Sequence, residues 1–226
     1  MRQKQQFGAW EVEEIIKQDR VFVVSHPDYE GEYVLKKAPD RGHIRLVSKH
    51  EDPEIRSIRL MRKEIRALRR VTDHPNIINM IDYNLEAEYP WHVTERIKPG
   101  IFNNHIFRDW PLERLEPDYI DSKINDLIKA CGYLHSKGIL LNADIEIYLD
   151  EDDNFVIGDF EFCKIWDNHH LDTSKDMLIM VHQLMTFKGF IEAARIQKRK
   201  ELGRQREVEE AHRQAQPSAP RRLVKE

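Results

Sequence analysis

The chain has 226 residues, enough for one large domain or two small ones with a sizeable core. Apolar residues make up 40% and charged residues 34%, with nine glycines and ten prolines. That balance excludes a collagen and a wholly disordered chain. Two cysteines, Cys131 and Cys163, cannot build a disulfide framework or a thiolate zinc site. The net charge of −4 is unevenly spread: residues 191–226 hold ten Lys/Arg and six Glu, a balance of +4, against −8 for the preceding 190. This predicts an acidic folded body with a basic tail. No apolar run is long enough to cross a bilayer, and no apolar stretch follows Met1, so the expected compartment is a reducing interior, cytoplasm or nucleus.

In chain order, residues 21–24 and 33–36 are short β-branched or aromatic runs flanking the turn-rich stretch 26–31, which predicts two antiparallel strands. A loop with Pro39, Gly42 and Pro53 follows, with room for a strand at 44–47. Residues 54–70 predict a helix with Ile58, Met61, Ile65 and Leu68 on one face, and 74–82 and 91–95 two further strands. In the second half Ile124, Leu127, Ile128, Cys131 and Leu134 recur at helical spacing over 119–136, with Gly138 placed to cap the helix. A hairpin is expected from 145–149 to 155–157 around the acidic turn 150–154. Residues 176–187 are apolar nearly all round, which predicts a buried helix. Beyond Ala193 a solvated helix and a disordered end at 216–220 are expected. The boundaries this gives are a small β-rich unit at 1–95, a mainly helical unit at 96–190, and a charged tail at 191–226.

Glu64 is the most informative single residue. Its helical neighbours Leu60, Met61, Ala67 and Leu68 are all apolar, so the carboxylate either faces inward, where it needs a cation, or reaches solvent at the edge of the helix. Lys36 is the matching cation, because alternation along 33–37 sends one of the adjacent lysines, Lys36 or Lys37, toward a core or cleft. A strand lysine paired with a helix glutamate is the ion pair that holds ATP phosphates in protein kinases.

The landmarks continue in order. Val34-Leu-Lys36 resembles the kinase strand-lysine motif and Glu64 its partner glutamate; His74-Pro-Asn-Ile-Ile78 is similar to the segment after the kinase C-helix. Thr94 and Glu95 fall at the gatekeeper and first hinge position, and Tyr133-Leu-His-Ser-Lys-Gly-Ile139 resembles the approach to the catalytic loop. Gly158-Asp-Phe160 resembles the metal-binding Asp-Phe-Gly, and Asp176 the aspartate opening the F-helix. Over residues 21–187 the chain therefore resembles a protein-kinase domain. The resemblance implies an α+β, two-lobe fold with a β-rich small lobe and a shortened, mainly helical large lobe. It also implies Lys36, Glu64, Thr94, Glu95 and Asp159 as nucleotide-binding residues, and ATP with Mg2+ as cofactors.

The departures point the other way. No two glycines are spaced as Gly-x-Gly, and residues 16–24 stand where the glycine-rich loop belongs, with Asp19 placed to repel phosphate. The catalytic loop is reduced to Leu141-Asn-Ala-Asp-Ile-Glu146, in which Asp144 is the stand-in for the base and Glu146 for the metal-binding asparagine, with no lysine after Asp144. Glu161 replaces the last glycine of Asp-Phe-Gly, and only sixteen residues separate Asp159 from Asp176. Between Asp144 and Glu161 there are eight acids and no Lys or Arg. These losses strike positioning and charge neutralisation together, on which phosphoryl transfer depends. The expectation is a degenerate, catalytically impaired domain, a pseudokinase acting by contact with a protein partner as a binding or regulatory module, with a weakly active Ser/Thr-type kinase, or a fragment completed by a partner, as the alternatives.

Three other patterns are read as ordinary surface. Asp150, Asp152, Asn154 and Glu161 match calcium-loop positions, but Phe155 stands where the turn needs glycine, so an acidic hairpin turn is expected. His169-His170 lacks the spacing of a helical zinc site. The basic run Lys198-Arg-Lys200 with Arg204 and Arg206 alternates with glutamates and lacks aromatics, which reads as a solvated helix face and not a nucleic-acid surface.

Overall fold

The computed structural model describes residues 5–39, 52–71, 73–97, 110–142, 146–150, 152, 154–167 and 173–215. Its first half is a six-stranded antiparallel sheet of β1 (Gln6–Phe7), β2 (Trp10–Lys17), β3 (Val21–His26), β4 (Tyr29–Lys37), β5 (Met80–Asn84) and β6 (Trp91–Glu95), in the order β1-β2-β3-β4-β6-β5. Paired residues share a face, and the register divides the side chains cleanly. Phe22, Leu35 and Val93 lie opposite one another and, with Trp10, Val24 and Trp91, form the core on one face. On the other face Val23, Val34 and Thr94 form one row, and Val21, Lys36 and His92 the next. Strand β2 was not anticipated, because Ile15-Ile16 interrupts its alternation. The structure places two register shifts there, and both isoleucines are exposed.

Helix α1 (Pro53–Leu68) begins at Asp52, whose carboxylate accepts the Glu54 N–H at 2.8 Å, with Pro53 in the first turn where no intrahelical N–H is needed. It packs Met61 and Ile65 against Ala38 on the sheet side. The strand expected at 74–82 forms only from Met80. Residues 74–79 instead cross to the second half: Ile78 N–H donates to the Ile157 carbonyl and Ile157 N–H to that of Asn76, each at 2.9 Å, and the Asn76 amide donates to the Phe155 carbonyl at 2.9 Å. Proline and asparagine at 75–76 suit this irregular crossing better than a ladder.

The second half contains α2 (Pro117–Ser136), the short pair β7 (Ile139–Leu140) and β10 (Lys164–Ile165), the hairpin β8 (Glu146–Leu149) and β9 (Phe155–Gly158), and α3 (Ser174–Ala215). One apolar core unites Leu127, Cys131 and Leu134 of α2 with Ile147, Phe155, Phe160 and Leu184. Gly138 follows α2 at φ 72°, the left-handed region glycine enters without strain, and a Cβ there would stand 2.3 Å from the Trp166 carbonyl oxygen.

One expectation needs correcting. The segment 176–187 is not buried all round: Asp176, Met180, Leu184, Phe187 and Ile191 are buried on one side, while Leu178 is 71% and Met185 54% exposed. A single helix also runs unbroken through the boundary drawn at 190/191, its Arg195 and Arg199 pairing with Glu116 and its Lys198 bonding the Trp110 carbonyl. The strand expected at 44–47 and the tail beyond 215 lie outside the described residues.

Candidate nucleotide cleft

Lys36 projects from β4 on the face opposite the aromatic core, toward α1. Its Nζ stands 3.0 Å from Oε1 and 2.9 Å from Oε2 of Glu64, 2.7 Å from Asp159 Oδ1 and 3.8 Å from Glu161 Oε2. Glu64 is only 2% exposed, as its apolar helical neighbours require. Burial alone would lower the Lys36 ammonium, but Glu64, Asp159 and Glu161 outweigh it and hold its pKa well above the lysine range. Burial likewise would raise Glu64, yet Lys36, aided by His92, holds that carboxyl well below the carboxylate range. The adjacent lysine is the wrong candidate for the cleft: Lys37 is buried too, with its ammonium 5.2 Å from the Tyr89 ring centroid.

Asp159 follows β9 with φ 55°, a left-handed conformation that aspartate tolerates better than most residues, and Phe160 behind it is fully buried in the core. The hairpin register sets Glu146 across from Gly158, one residue before Asp159. Tyr148 shares that face. A Cβ on Gly158 would stand 2.7 Å from the Tyr148 ring, so glycine is what admits the ring there, and the tyrosine hydroxyl donates to the Glu146 carboxylate. Burial, with Glu146 beside it, pushes the Tyr148 hydroxyl far above the usual phenol range. Among the described residues no three His, Cys, Asp or Glu side chains converge as a metal cage. Mg2+ would thus depend on Asp159, with Glu146 nearby, and on the phosphates it accompanies.

The other expected residues fall as follows. Thr94 is buried opposite Val34, and Glu95 ends β6, its Oε1 accepting the Asn79 N–H at 3.1 Å. Asp144 lies outside the described residues. Asp176 accepts from Asn142 N–H at 2.7 Å and Leu141 N–H at 3.1 Å and stands 2.8 Å from His135 Nε2. Burial raises its pKa, but His135 and the two N–H groups prevail and hold it below the usual range.

Two residues were missed. His92 is 4% exposed beneath the ion pair, its Nε2 3.7 Å from Glu64 Oε1; its place opposite Lys36 needs the strand register to be seen. Arg20, at the turn between β2 and β3, forms an ion pair with Glu161. An arginine beside Asp19 in the same turn is the sequence signal for this pair.

The protein kinase domain model matches residues 21–187, roughly three-quarters of the chain. The chain belongs to the protein kinase domain family, and its β-sheet first half and helical second half are those of a shortened kinase fold. Among curated proteins it is 30% identical over 107 residues to the serine/threonine-protein kinase CHK1 of Saccharomyces cerevisiae, covering 43% of this chain and 19% of that one. It is 32% identical over 108 residues to the ribosomal protein S6 kinase 2 alpha of Gallus gallus (45% and 14%), and 33% over 92 residues to the serine/threonine-protein kinase BIK1 of Arabidopsis thaliana (38% and 23%). The matches span less than a quarter of the length of each relative. No helix among the described residues is long and apolar enough to cross a membrane.

Proposed function

We propose that this chain is a catalytically impaired protein-kinase domain, a pseudokinase, that keeps a nucleotide cleft built on Lys36, Glu64, Thr94, Glu95 and Asp159 and works by binding a protein partner. The observation that carries the reading is the set of carboxylates around Lys36. In an active kinase the lysine pairs with its helix glutamate and sits near the metal-binding aspartate, keeping charge for phosphate; here Glu161, in the place of the motif's glycine, adds a further carboxylate 3.8 Å from the same ammonium. The missing glycines and the shortened catalytic loop support it from the sequence.

The decisive experiment pairs thermal unfolding in ATP and magnesium with a phosphotransfer assay on the purified protein. Ligand at about 100 times its dissociation constant adds roughly 2.7 kcal/mol, a rise of something like 5–10 °C for a domain of this size. The reading expects such a shift without Asp159-dependent phosphorylation. Phosphorylation that disappears in Asp159→Asn would replace it with the second reading, a weakly active Ser/Thr-type kinase using Asp144 as base. That reading draws its support from Asp176, which still holds Leu141 and Asn142 at the entrance to the shortened catalytic loop.

A further inference from the structure

We propose that Arg20 and Lys36 form a two-cation anion site whose resident occupant is the chain's own Glu161 carboxylate, and that phosphate entering the cleft must displace it. The inference rests on the nucleotide-cleft reading above and adds the residues that decide its affinity. Arg20 sits at a tight turn. Its N–H donates to the Lys17 carbonyl at 3.0 Å, its carbonyl accepts from Lys37 N–H at 2.9 Å, and Asp19 before it is left-handed at φ 54°. The backbone donor at this point is therefore consumed within the turn. A glycine-rich loop cradles phosphate with its N–H groups; here the Arg20 guanidinium is the donor that reaches the same space.

Glu161 meets that guanidinium from the other side. It is the second residue after Asp159, so the segment that places Asp159 beside Lys36 also brings the Glu161 carboxylate to Arg20 and within 3.8 Å of Lys36 Nζ. The Arg20, Glu161 and Lys36 side chains are 26%, 16% and 15% exposed, enclosed enough for their charges to interact strongly. Arg20 and Lys36 face three carboxylates, those of Glu64, Asp159 and Glu161. Glu64 is held in the interior and Asp159 is the metal-side carboxylate. Glu161 is the one standing between both cations, as a phosphate oxygen would. An arginine is suited to exchange one for the other, because its planar fork donates to carboxylate and phosphate oxygens with the same geometry.

The test is calorimetric titration of the full chain with sodium tripolyphosphate, and separately with ATP and magnesium, on wild type, Glu161→Gln, Arg20→Gln and the double variant, each first shown to unfold cooperatively. Arg20→Lys is added to keep the charge should Arg20→Gln lose its fold. Glu161→Gln removes the competing charge at nearly constant shape, and tripolyphosphate should bind about tenfold tighter. Arg20→Gln should remove that gain in the double variant, and Arg20→Lys should retain part of it. Equal binding by wild type and Glu161→Gln, or a gain that survives without Arg20, would mean that the pair only fastens the turn to the Asp159 segment, and the proposal falls. Binding by no variant overturns it as well. If ATP binds every variant equally, the nucleotide cleft stands and the competing carboxylate does not. If tripolyphosphate responds as expected while ATP binds nowhere, the anion site stands and the nucleotide reading falls.

Discussion

Replacing Lys36 with methionine, the substitution chosen to silence a kinase, should here damage the fold, and in a pH-dependent way. Glu64 is 2% exposed, and Lys36 contacts both its oxygens at 2.9–3.0 Å. Removing one partner of a buried pair leaves an uncompensated charge and costs about 3–5 kcal/mol. At 2–4 °C per kcal/mol for a chain of this size, the unfolding midpoint should fall by about 10 °C. The pH dependence follows from Glu64. In the wild type its folded pKa lies below the ordinary 4.5, so its stabilisation is complete above that pH and is lost as pH falls through the folded value. In Lys36→Met the largest influence lowering the pKa of the buried carboxyl is gone, and the desolvation that raises it is opposed only by the weaker contribution of His92, whose Nε2 lies 3.7 Å from Glu64 Oε1. The variant then loses stability as pH rises through that raised value, so its deficit is widest near neutrality and narrows toward pH 4.5, where the wild-type pair is still intact. Urea unfolding of wild type, Lys36→Met and Lys36→Met/Glu64→Leu between pH 4.5 and 8 measures this directly, and the double variant should recover most of the loss. A deficit under about 1 kcal/mol at pH 7, or one that does not change with pH, would refute the reasoning.

Three further outcomes are expected. Gly138→Ala should destabilise by about 2 kcal/mol or more, because it adds a left-handed alanine and a methyl 2.3 Å from the Trp166 carbonyl oxygen, whereas Gly132→Ala inside α2, with nothing within 4 Å, should stabilise by roughly 0.5–1 kcal/mol; thermal melts of the two variants check the contrast. Asp176→Ala should cost about 3 kcal/mol, because it strips the acceptor from two backbone N–H groups and from His135. Since the folded pKa of Asp176 is depressed, that gap should hold at neutral pH and shrink in acid below its ordinary value of 3.8, as urea melts would record. Both thiols are buried with their pKa pushed up to about 12, so alkylation at pH 8 should proceed only through unfolding and give equal rates for Cys131 and Cys163 by mass spectrometry.

What the sequence disclosed was governed by periodicity. Glu64 could be read as inward because its four helical neighbours are apolar, and α2 because its stripe runs for several turns. The hairpin carrying Asp159 was visible because an acidic turn separates two short apolar runs. Strand β2 was hidden by the bulges around Ile15-Ile16, and the crossing at 74–79 looked like a strand because Ile77 and Ile78 are apolar while bridging to Ile157 instead of a sheet neighbour. Helix α3 was mistaken for an all-round core element because apolar residues occupy both of its sides, although only one side meets the core. The cleft was legible as far as single residues go: Lys36, Glu64 and Asp159 come together as expected. The Arg20–Glu161 pair was not, since it joins residues 141 positions apart through a turn whose charge pattern names no partner.

Helix α3 also works as a ruler. Asp176 near its start grips the chain at Leu141 and Asn142, while Arg195, Lys198 and Arg199 fasten its middle to Glu116 and the Trp110 carbonyl. From Asp176 to Lys198 is about 33 Å of helix at 1.5 Å per residue. Inserting or deleting one residue between those grips would turn one grip by about 100° against the other and move it by a single rise. The outward positions in that span, such as Leu178 and Met185, can change their side chains without touching either grip. Between the two grips the chain is thus held to a fixed count of residues far more strictly than to their identity.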